Sequence, residues 1–158
     1  MPSCYSYFRP MDESDLDWVM SVETAAYDFP WSRQGFEKAL DDGLSYVFCD
    51  ATRQSLGYAC FLSVLDEAHL LNLCIAPGHH RQGVASEGLK ALIDHFASAA
   101  FEVMLLEVRE SNPAVRLYKK LGFVEDGVRP NYYPVKSQEN GERAAEREDA
   151  ILMSCRLN

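Results

Sequence analysis

"LNLCIAPGHHRQGVAS", running from Leu71 to Ser86, decides the fold because it joins two segments of unlike period. Upstream, "EAHLLNLCIA" reads as a strand; downstream, "GVASEGLKALIDHFASAA" repeats Val84, Leu89, Leu92, Ile93 and Phe96 at three-to-five spacing, an amphipathic helix. At the junction Gly83 lets the backbone come close to a ligand, and Val84, Ala85 and Ser86 are first-turn residues whose N–H groups lack intrahelical acceptors. With the positive end of the helix dipole this suits a phosphate or pyrophosphate, to which Arg81 adds a charged fork and Ser86 a hydroxyl. No lysine follows Gly83, and the three-glycine dinucleotide turn is absent, so neither common phosphate loop is present. On composition alone, a plain tight turn with a solvated arginine fits equally well. The strand carries its own irregularity: Asn72 and Cys74 alternate with Leu71, Leu73 and Ile75, which puts a polar face on a strand that reads as central. A bulge or splay there would free backbone groups for an extended, amide-containing ligand.

Working outward, "YSYFRP" is a short edge strand closed by Pro10. "MDESDLDWVMSVETAAYDF" is helical, with Leu16, Val19, Met20 and Glu23 in phase; "PW" breaks it, and "SRQGFEKALDDG" restarts with Ser32 as cap and Gly43 as stop. "LSYVFCD", "SLGYACFLSVL" and "EAHLLNLCIA" follow on hairpin-length connectors, an antiparallel meander. After the helix come the strand "EVMLLEVRE", a short helix in "SNPAVRLYKKLGF", a strand and loop in "FVEDGVRPNYYP", and a final strand "DAILMSCRL". "VKSQENGERAAERE" has little to bury and is expected to be a mobile hairpin tip. A strand-helix-strand-helix passage from Glu67 to Phe123, with helices needed on both faces of a mixed sheet, makes this an α/β (α+β) single domain.

Composition narrows the function classes. A chain of 158 residues, 47% apolar and 25% charged, holds one real core, and no run is long enough for a membrane span. The N-terminus "MPSCYSYFRP" lacks a secretory pattern, so a cytoplasmic protein is expected. Lys and Arg number 15 against 24 Asp and Glu, a net charge of -9, which disfavours nucleic acid as the direct partner and suits a basic one. The early acids, among them Asp12, Asp15, Asp17 and Glu23, read as solvated helix faces. Five scattered cysteines and four histidines (His69, His79, His80, His95) make no ligand spacing, so no metal is expected.

Two residues invite chemistry. Glu107 alternates with Leu106 and Val108; it is either a strand-face carboxylate paired with Arg109 or another arginine, or a base beside an amine. Tyr118 shares a helix face with Val115 and Leu121, downstream of a start that Asn112 can cap with Pro113 at the first position. It is a core tyrosine with a satisfied hydroxyl, or an acid.

"HHRQGVAS" resembles the pyrophosphate motif of the GCN5-related N-acetyltransferases (GNAT), written Gln/Arg-x-x-Gly-x-Gly/Ala. Jointly, "YDFPWS", "LNLCIAPGHHRQGVAS", "LEVRESN", "LYKKLGF" and "RPNYYP…EDAILM" are similar, more narrowly, to the bacterial ribosomal-protein-alanine N-acetyltransferases, from about Ala26 to Met153. The resemblance implies one N-acetyltransferase domain over residues 1–158, with a mostly antiparallel sheet and a splayed cofactor strand. It implies acetyl-CoA as cosubstrate and the basic N-terminal segment of ribosomal protein S18, whose alanine amine is acetylated, as partner. In its terms the backbone of Leu73, Cys74 and Ile75 pairs with the pantetheine arm, and Arg81, Gln82, Gly83, Val84, Ala85 and Ser86 wrap the pyrophosphate. Asn112 lies near the thioester, Glu107 is the catalytic base and Tyr118 the acid. His80 departs from the Gln or Arg that usually opens the motif, and the spacing from Asn112 to Tyr118 is one residue short of the family's.

The chemistry agrees in kind. A free α-amine has a pKa of about 7.7–8.0 against about 10.4 for lysine, so an N-terminal amine asks little of a glutamate base. His69 is second choice as base. Cys74 has no histidine within two residues, which favours direct sequential transfer over a covalent acyl-enzyme. The rivals are a lysine or small-molecule acetyltransferase and a non-catalytic CoA-binding regulatory module. The aromatic, proline-stiffened "DFPW" and "RPNYYP" segments favour a peptide acceptor.

Overall fold

A 3-10 turn at Glu13–Asp15 opens the helical part, and the computed structural model, which describes residues 4–135 and 147–157, shows why. Asp12 accepts from the Ser14 N–H at 2.9 Å while the Asp15 carboxylate accepts from the Asp12 N–H at 2.9 Å, a reciprocal cap. The Arg9 guanidinium forks onto Asp15 at 2.6 and 2.9 Å, tying this turn to strand β1 (Tyr7–Pro10). Helix α1 (Leu16–Ala26) follows, then α2 (Arg33–Asp41), where Ser32 Oγ accepts from the Gly35 N–H.

Strands β2 (Ser45–Cys49), β3 (Ser55–Val64) and β4 (Glu67–Ile75) form the expected meander. Helix α3 (Val84–Ser98) crosses to β5 (Val103–Arg109), which pairs with β4 in parallel; the other pairings are antiparallel. Helix α4 (Ala114–Lys120), β6 (Val124–Pro134) and β7 (Arg147–Arg156) complete a sheet in the order β1-β2-β3-β4-β5-β7-β6.

The strand period of two sorts side chains to opposite faces. On one face Phe48, Phe61, Met104 and Met153 meet Leu89, Leu92 and Phe96 of α3 and Tyr118 of α4. On the other, Val47, Tyr58, Cys60 and Cys74 meet Leu16, Val19 and Val22 of α1 and Phe36 of α2. The fold class is the one expected, α/β with helices on both faces. No helix among the described residues is long and apolar enough to cross a membrane.

Two sequence expectations change, and a third point that alternation leaves open is decided. "RPNYYP" is strand, not loop: β6 runs through it, pairing Tyr133 with Glu148 and Pro134 with Arg147. Pro130 is tolerated because β6 is a sheet edge and its register shifts between Arg129 and Tyr133, so the missing N–H breaks no ladder bond there. Second, the early acids are not all solvated: Asp15 and Glu23 are buried. Third, the Asn72–Cys74 face of β4 is the interior one, and Leu71 is the half-exposed side chain. The stretch expected to be a mobile tip lies mostly outside the described residues, at 136–146.

A bulge in β4 positions the cleft. Cys60 pairs with Asn72 but Phe61 pairs with Leu70, so Leu71 is an extra residue, a β-bulge. The parallel β4–β5 pairing ends at the same point, Leu70 opposite Leu106. A bulge bends its strand, and beyond it β4 leans towards β3 and away from β5. The closeness of that approach is visible at Gly57 of β3, where a Cβ would lie 2.5 Å from the Cys74 carbonyl oxygen and 3.0 Å from Ile75 Cα. Backbone atoms cannot step aside as a side chain can. Gly57→Ala is therefore expected to destabilise the fold by about 1–3 kcal/mol, measured by chemical denaturation, and to weaken acetyl-CoA binding by moving β4. Wild-type stability would mean that the sheet yields more easily than this packing allows.

Candidate active site

The diverging ends of β4 and β5 open a cleft of about 700 Å³. Leu71, Asn72 and Leu73 form one wall, Glu107 and Arg109 the other, and Tyr118 lies on the same lining. A second groove of about 560 Å³ adjoins it, lined by His69, Asp126, Arg129, Tyr132 and others. Glu107 borders both.

The open side of β4 carries the polar edge that the sequence suggested. The Leu73 carbonyl accepts from the Tyr27 hydroxyl at 2.8 Å, and the Ile75 carbonyl accepts from His80 Nε2 at 2.7 Å. The strand thus satisfies itself with two exposed side chains, which an incoming amide can replace. His80, the residue that departs from the family motif, turns back onto the strand rather than into the turn. Cys74 is buried between Tyr27, Tyr58 and Glu23; burial raises its thiol above the ordinary value, keeping it protonated and a poor nucleophile.

Beyond the strand comes the turn that opens α3. Arg81 and Gly83 both take positive φ, 62° and 76°, the left-handed conformation that folds a loop back on itself. The first turn of α3 closes with the Glu87 N–H donating to the Gly83 carbonyl at 2.9 Å. The N–H groups of Val84, Ala85 and Ser86 precede that bond and have no helical acceptor. Gln82 is less available: its amide oxygen accepts from the Cys4 thiol and its nitrogen donates to the Gly78 carbonyl. These residues fit a pyrophosphate through backbone groups, and the free edge of β4 fits an amide arm.

On the opposite wall Leu106 and Val108 are buried, so alternation turns Glu107 to the other face. Its Oε1 accepts from Arg129 Nη2 at 2.7 Å. The arginine partner allowed by the sequence is therefore Arg129, because Arg109 is committed elsewhere. Arg109 forms an ion pair with Glu148 at 2.9 Å, donates to the Pro134 carbonyl, and stacks on Tyr133 and Phe29 at 4.6 and 5.8 Å. One guanidinium thus draws the "DFPW" and "RPNYYP" segments to a common rim. His69, the alternative base, is paired with Glu67 at 2.9 Å.

Tyr118 is 6% exposed, yet its hydroxyl makes no hydrogen bond to a described residue. A purely structural buried tyrosine ordinarily finds one. Burial, with Tyr133 nearby, pushes its pKa up to about 12. Asn112 Oδ1 accepts from the Ala114 N–H at 2.9 Å, so this side chain caps α4 and leaves only its amide nitrogen to face a ligand.

The residue that sequence reasoning misplaced is Glu23. It is 1% exposed, and its carboxylate accepts from the Tyr58 hydroxyl (2.7 Å), Asn72 Nδ2 (3.1 and 3.2 Å) and the Trp31 N–H (3.0 Å). It locks the "DFPW" turn onto β4. Its phase with Leu16 and Val19 on the buried stripe of α1 was the available signal.

A splayed parallel strand, a left-handed glycine opening the next helix, and a carboxylate and a tyrosine lining one cleft go with likeness to known proteins. The profile of the Acetyltransferase (GNAT) family matches residues 10–123. The chain belongs to the GNAT acetyltransferase family. Its relatives include the [ribosomal protein bS18]-alanine N-acetyltransferase of Escherichia coli strain K12, 36% identical over 147 residues, covering 91% of this chain and 93% of that one. The crystal structure of the ribosomal-protein-S18-alanine N-acetyltransferase from Escherichia coli superposes with a TM-score of 0.84 at 33% identity, over 96% of this chain and 93% of that one. The spermidine N-acetyltransferase of Vibrio cholerae, solved with CoA and spermine, matches with a TM-score of 0.79 at 20% identity, over 98% of this chain and 96% of that one; at that distance it speaks for the fold alone. As a GNAT acetyltransferase the protein uses acetyl-CoA as its acetyl donor.

Proposed function

We propose that this acetyltransferase moves the acetyl group of acetyl-CoA to the N-terminal alanine amine of ribosomal protein S18. The observation that carries the reading is likeness along nearly the whole chain, at 36% identity, to the Escherichia coli enzyme named for that reaction. The rim supports it: Tyr133, held with Phe29 by Arg109, and Glu107 line both the cleft and the adjoining groove, through which an extended peptide end can reach the carboxylate. The net charge of -9 supports a basic acceptor segment, drawn in at a salt-dependent rate.

Bound acetyl-CoA supplies an activated thioester. Backbone groups from Arg81 to Ser86 hold its pyrophosphate, and the Leu73 and Ile75 edge exchanges Tyr27 and His80 for the pantetheine amides. The Cys74 backbone is the weaker member of that set, since its carbonyl oxygen faces β3, where a Cβ on Gly57 would lie 2.5 Å from it. Asn112 directs its amide nitrogen towards the thioester end. Glu107 takes the proton of the amine, directly or through one water, as nitrogen attacks the acetyl carbon. Tyr118 donates to the sulfur as the carbon–sulfur bond breaks. The protonated, buried Cys74 leaves direct transfer as the better scheme than an acyl-enzyme.

The test uses one basic peptide in three forms: free N-terminal alanine, the same amine blocked, and a bulky first residue. Mass spectrometry should find acetyl on the first form and background on the second. Each methylene that does not fit should cost about 1–3 kcal/mol in kcat/KM on the third. Equal acetylation of the blocked peptide would make the enzyme a lysine acetyltransferase and end this reading.

A further inference from the structure

Glu107 meets the two cavities with one oxygen already engaged. Arg129 lines the 560 Å³ groove but not the 700 Å³ cleft, so its guanidinium stands on the groove side of the carboxylate. The contact is not one that neighbouring positions force. Arg129 belongs to β6, and the ladder runs Arg129–Ala150–Arg109, while Glu107 is opposite Leu152; the arginine reaches across β7 and along it to find Glu107. It sits where the β6 register shifts, and its guanidinium lies 5.0 Å from the centre of the Tyr132 ring. That ring offers the guanidinium a place to remain once it lets the carboxylate go. Both partners are partly exposed, 33% for Glu107 and 49% for Arg129, so the pair is weak enough to exchange.

We propose that Arg129 masks Glu107 until a cationic acceptor arrives. The acceptor ammonium, entering along the groove, replaces the guanidinium at the same carboxylate, and Arg129 withdraws onto Tyr132. The proposal rests on Glu107 being the base. What the mask prevents is hydrolysis. An unmasked Glu107 beside bound acetyl-CoA would take a proton from water as its oxygen bonds to the acetyl carbon. The carbon–sulfur bond would then break, the sulfur keeping the electron pair and gaining a proton, to give acetate and free CoA. With the guanidinium in place the Oε1 oxygen is taken from the groove side, and acetyl-CoA waits for the amine. Arg129 is in this sense a specificity residue, setting amine against water.

The experiment measures thiol release from acetyl-CoA by the full chain without any peptide, and KM and kcat separately with the free-alanine peptide. Arg129→Gln should raise the peptide-independent release about two- to fivefold and lower the peptide KM by a similar factor, the scale of a partly exposed ion pair. Arg129→Lys, which keeps the cation without the fork, should return the leak towards wild type, and Glu107→Gln added to Arg129→Gln should abolish the gain. A leak unchanged in Arg129→Gln, or a raised peptide KM, overturns the mask and makes Arg129 a plain acceptor contact. If Glu107→Gln alone transfers acetyl to the peptide at the wild-type rate, the base assignment has failed first, and the mask falls with it.

Discussion

Replacing Tyr118 with phenylalanine is expected to lower kcat about 10²- to 10³-fold while leaving acetyl-CoA affinity unchanged. The ring is held by packing against Phe123, at 5.6 Å between centroids, and phenylalanine keeps that contact. The hydroxyl bonds to no described residue, so its removal leaves no protein group unpaired and should not unfold the chain. Ionisation also defines how it acts. A pKa pushed up to about 12 means the phenol keeps its proton throughout the range, about 7.7–8.0, in which an α-amine loses its own. In the proposed scheme such a phenol holds a hydrogen bond to the departing sulfur more than it gives its proton away, because a thiolate ordinarily binds a proton only below about 8.5. The wild-type pH–rate profile should accordingly rise with amine deprotonation and show no fall from Tyr118 until strongly alkaline pH. Steady-state kinetics with calorimetric measurement of cofactor binding checks both halves. Activity of the phenylalanine variant within about threefold of wild type would return Tyr118 to the core.

Gly83→Asp should lower acetyl-CoA affinity by at least about 10²-fold without unfolding the protein. Gly83 occupies φ +76° immediately before α3, and aspartate is among the residues that tolerate the left-handed region. At the start of a helix a carboxylate is favourable to the helix itself, since it accepts from first-turn N–H groups and faces the positive end of the dipole. Those are the groups a pyrophosphate needs. The substituted protein would carry its own anion in the site and repel another. Gly83→Asn separates the two effects: it can fill the same N–H groups without charge, and a loss of about tenfold is expected. Calorimetry at two salt concentrations should show the aspartate penalty shrinking at high salt. Unchanged affinity in a folded Gly83→Asp protein would mean that the pyrophosphate lies elsewhere.

What could be read before the structure, and what could not, divides at particular residues. The helix after Gly83 was legible because its period is local, and the first-turn N–H groups follow from helix geometry wherever a helix begins. Glu107 was legible as a side chain turned away from Leu106 and Val108, because strand alternation is also local. Its partner was not, since Arg129 is 22 residues away and two strands across. "RPNYYP" reads as a proline-stiffened loop; that it lies in a strand at a sheet edge with a register shift is a property of the sheet. Which face of β4 is interior was likewise undecidable from alternation, which defines two faces without naming the inner one. Glu23, among other acids in a charged segment, needed Tyr58 and Asn72 brought from other strands before its burial made sense.

The sequence by itself therefore determined most of the elements, the mixed sheet, the glycine turn before α3, and, through joined motifs, the acetyltransferase family. The tertiary structure decided the bulge at Leu71 that parts β4 from β5, the single guanidinium that gathers two aromatic segments, and the Arg129–Glu107 pair. The physical reason is range. Periods, caps and glycine turns are set by interactions within about four residues, whereas register and ion pairing are set by whichever strands the whole core brings side by side.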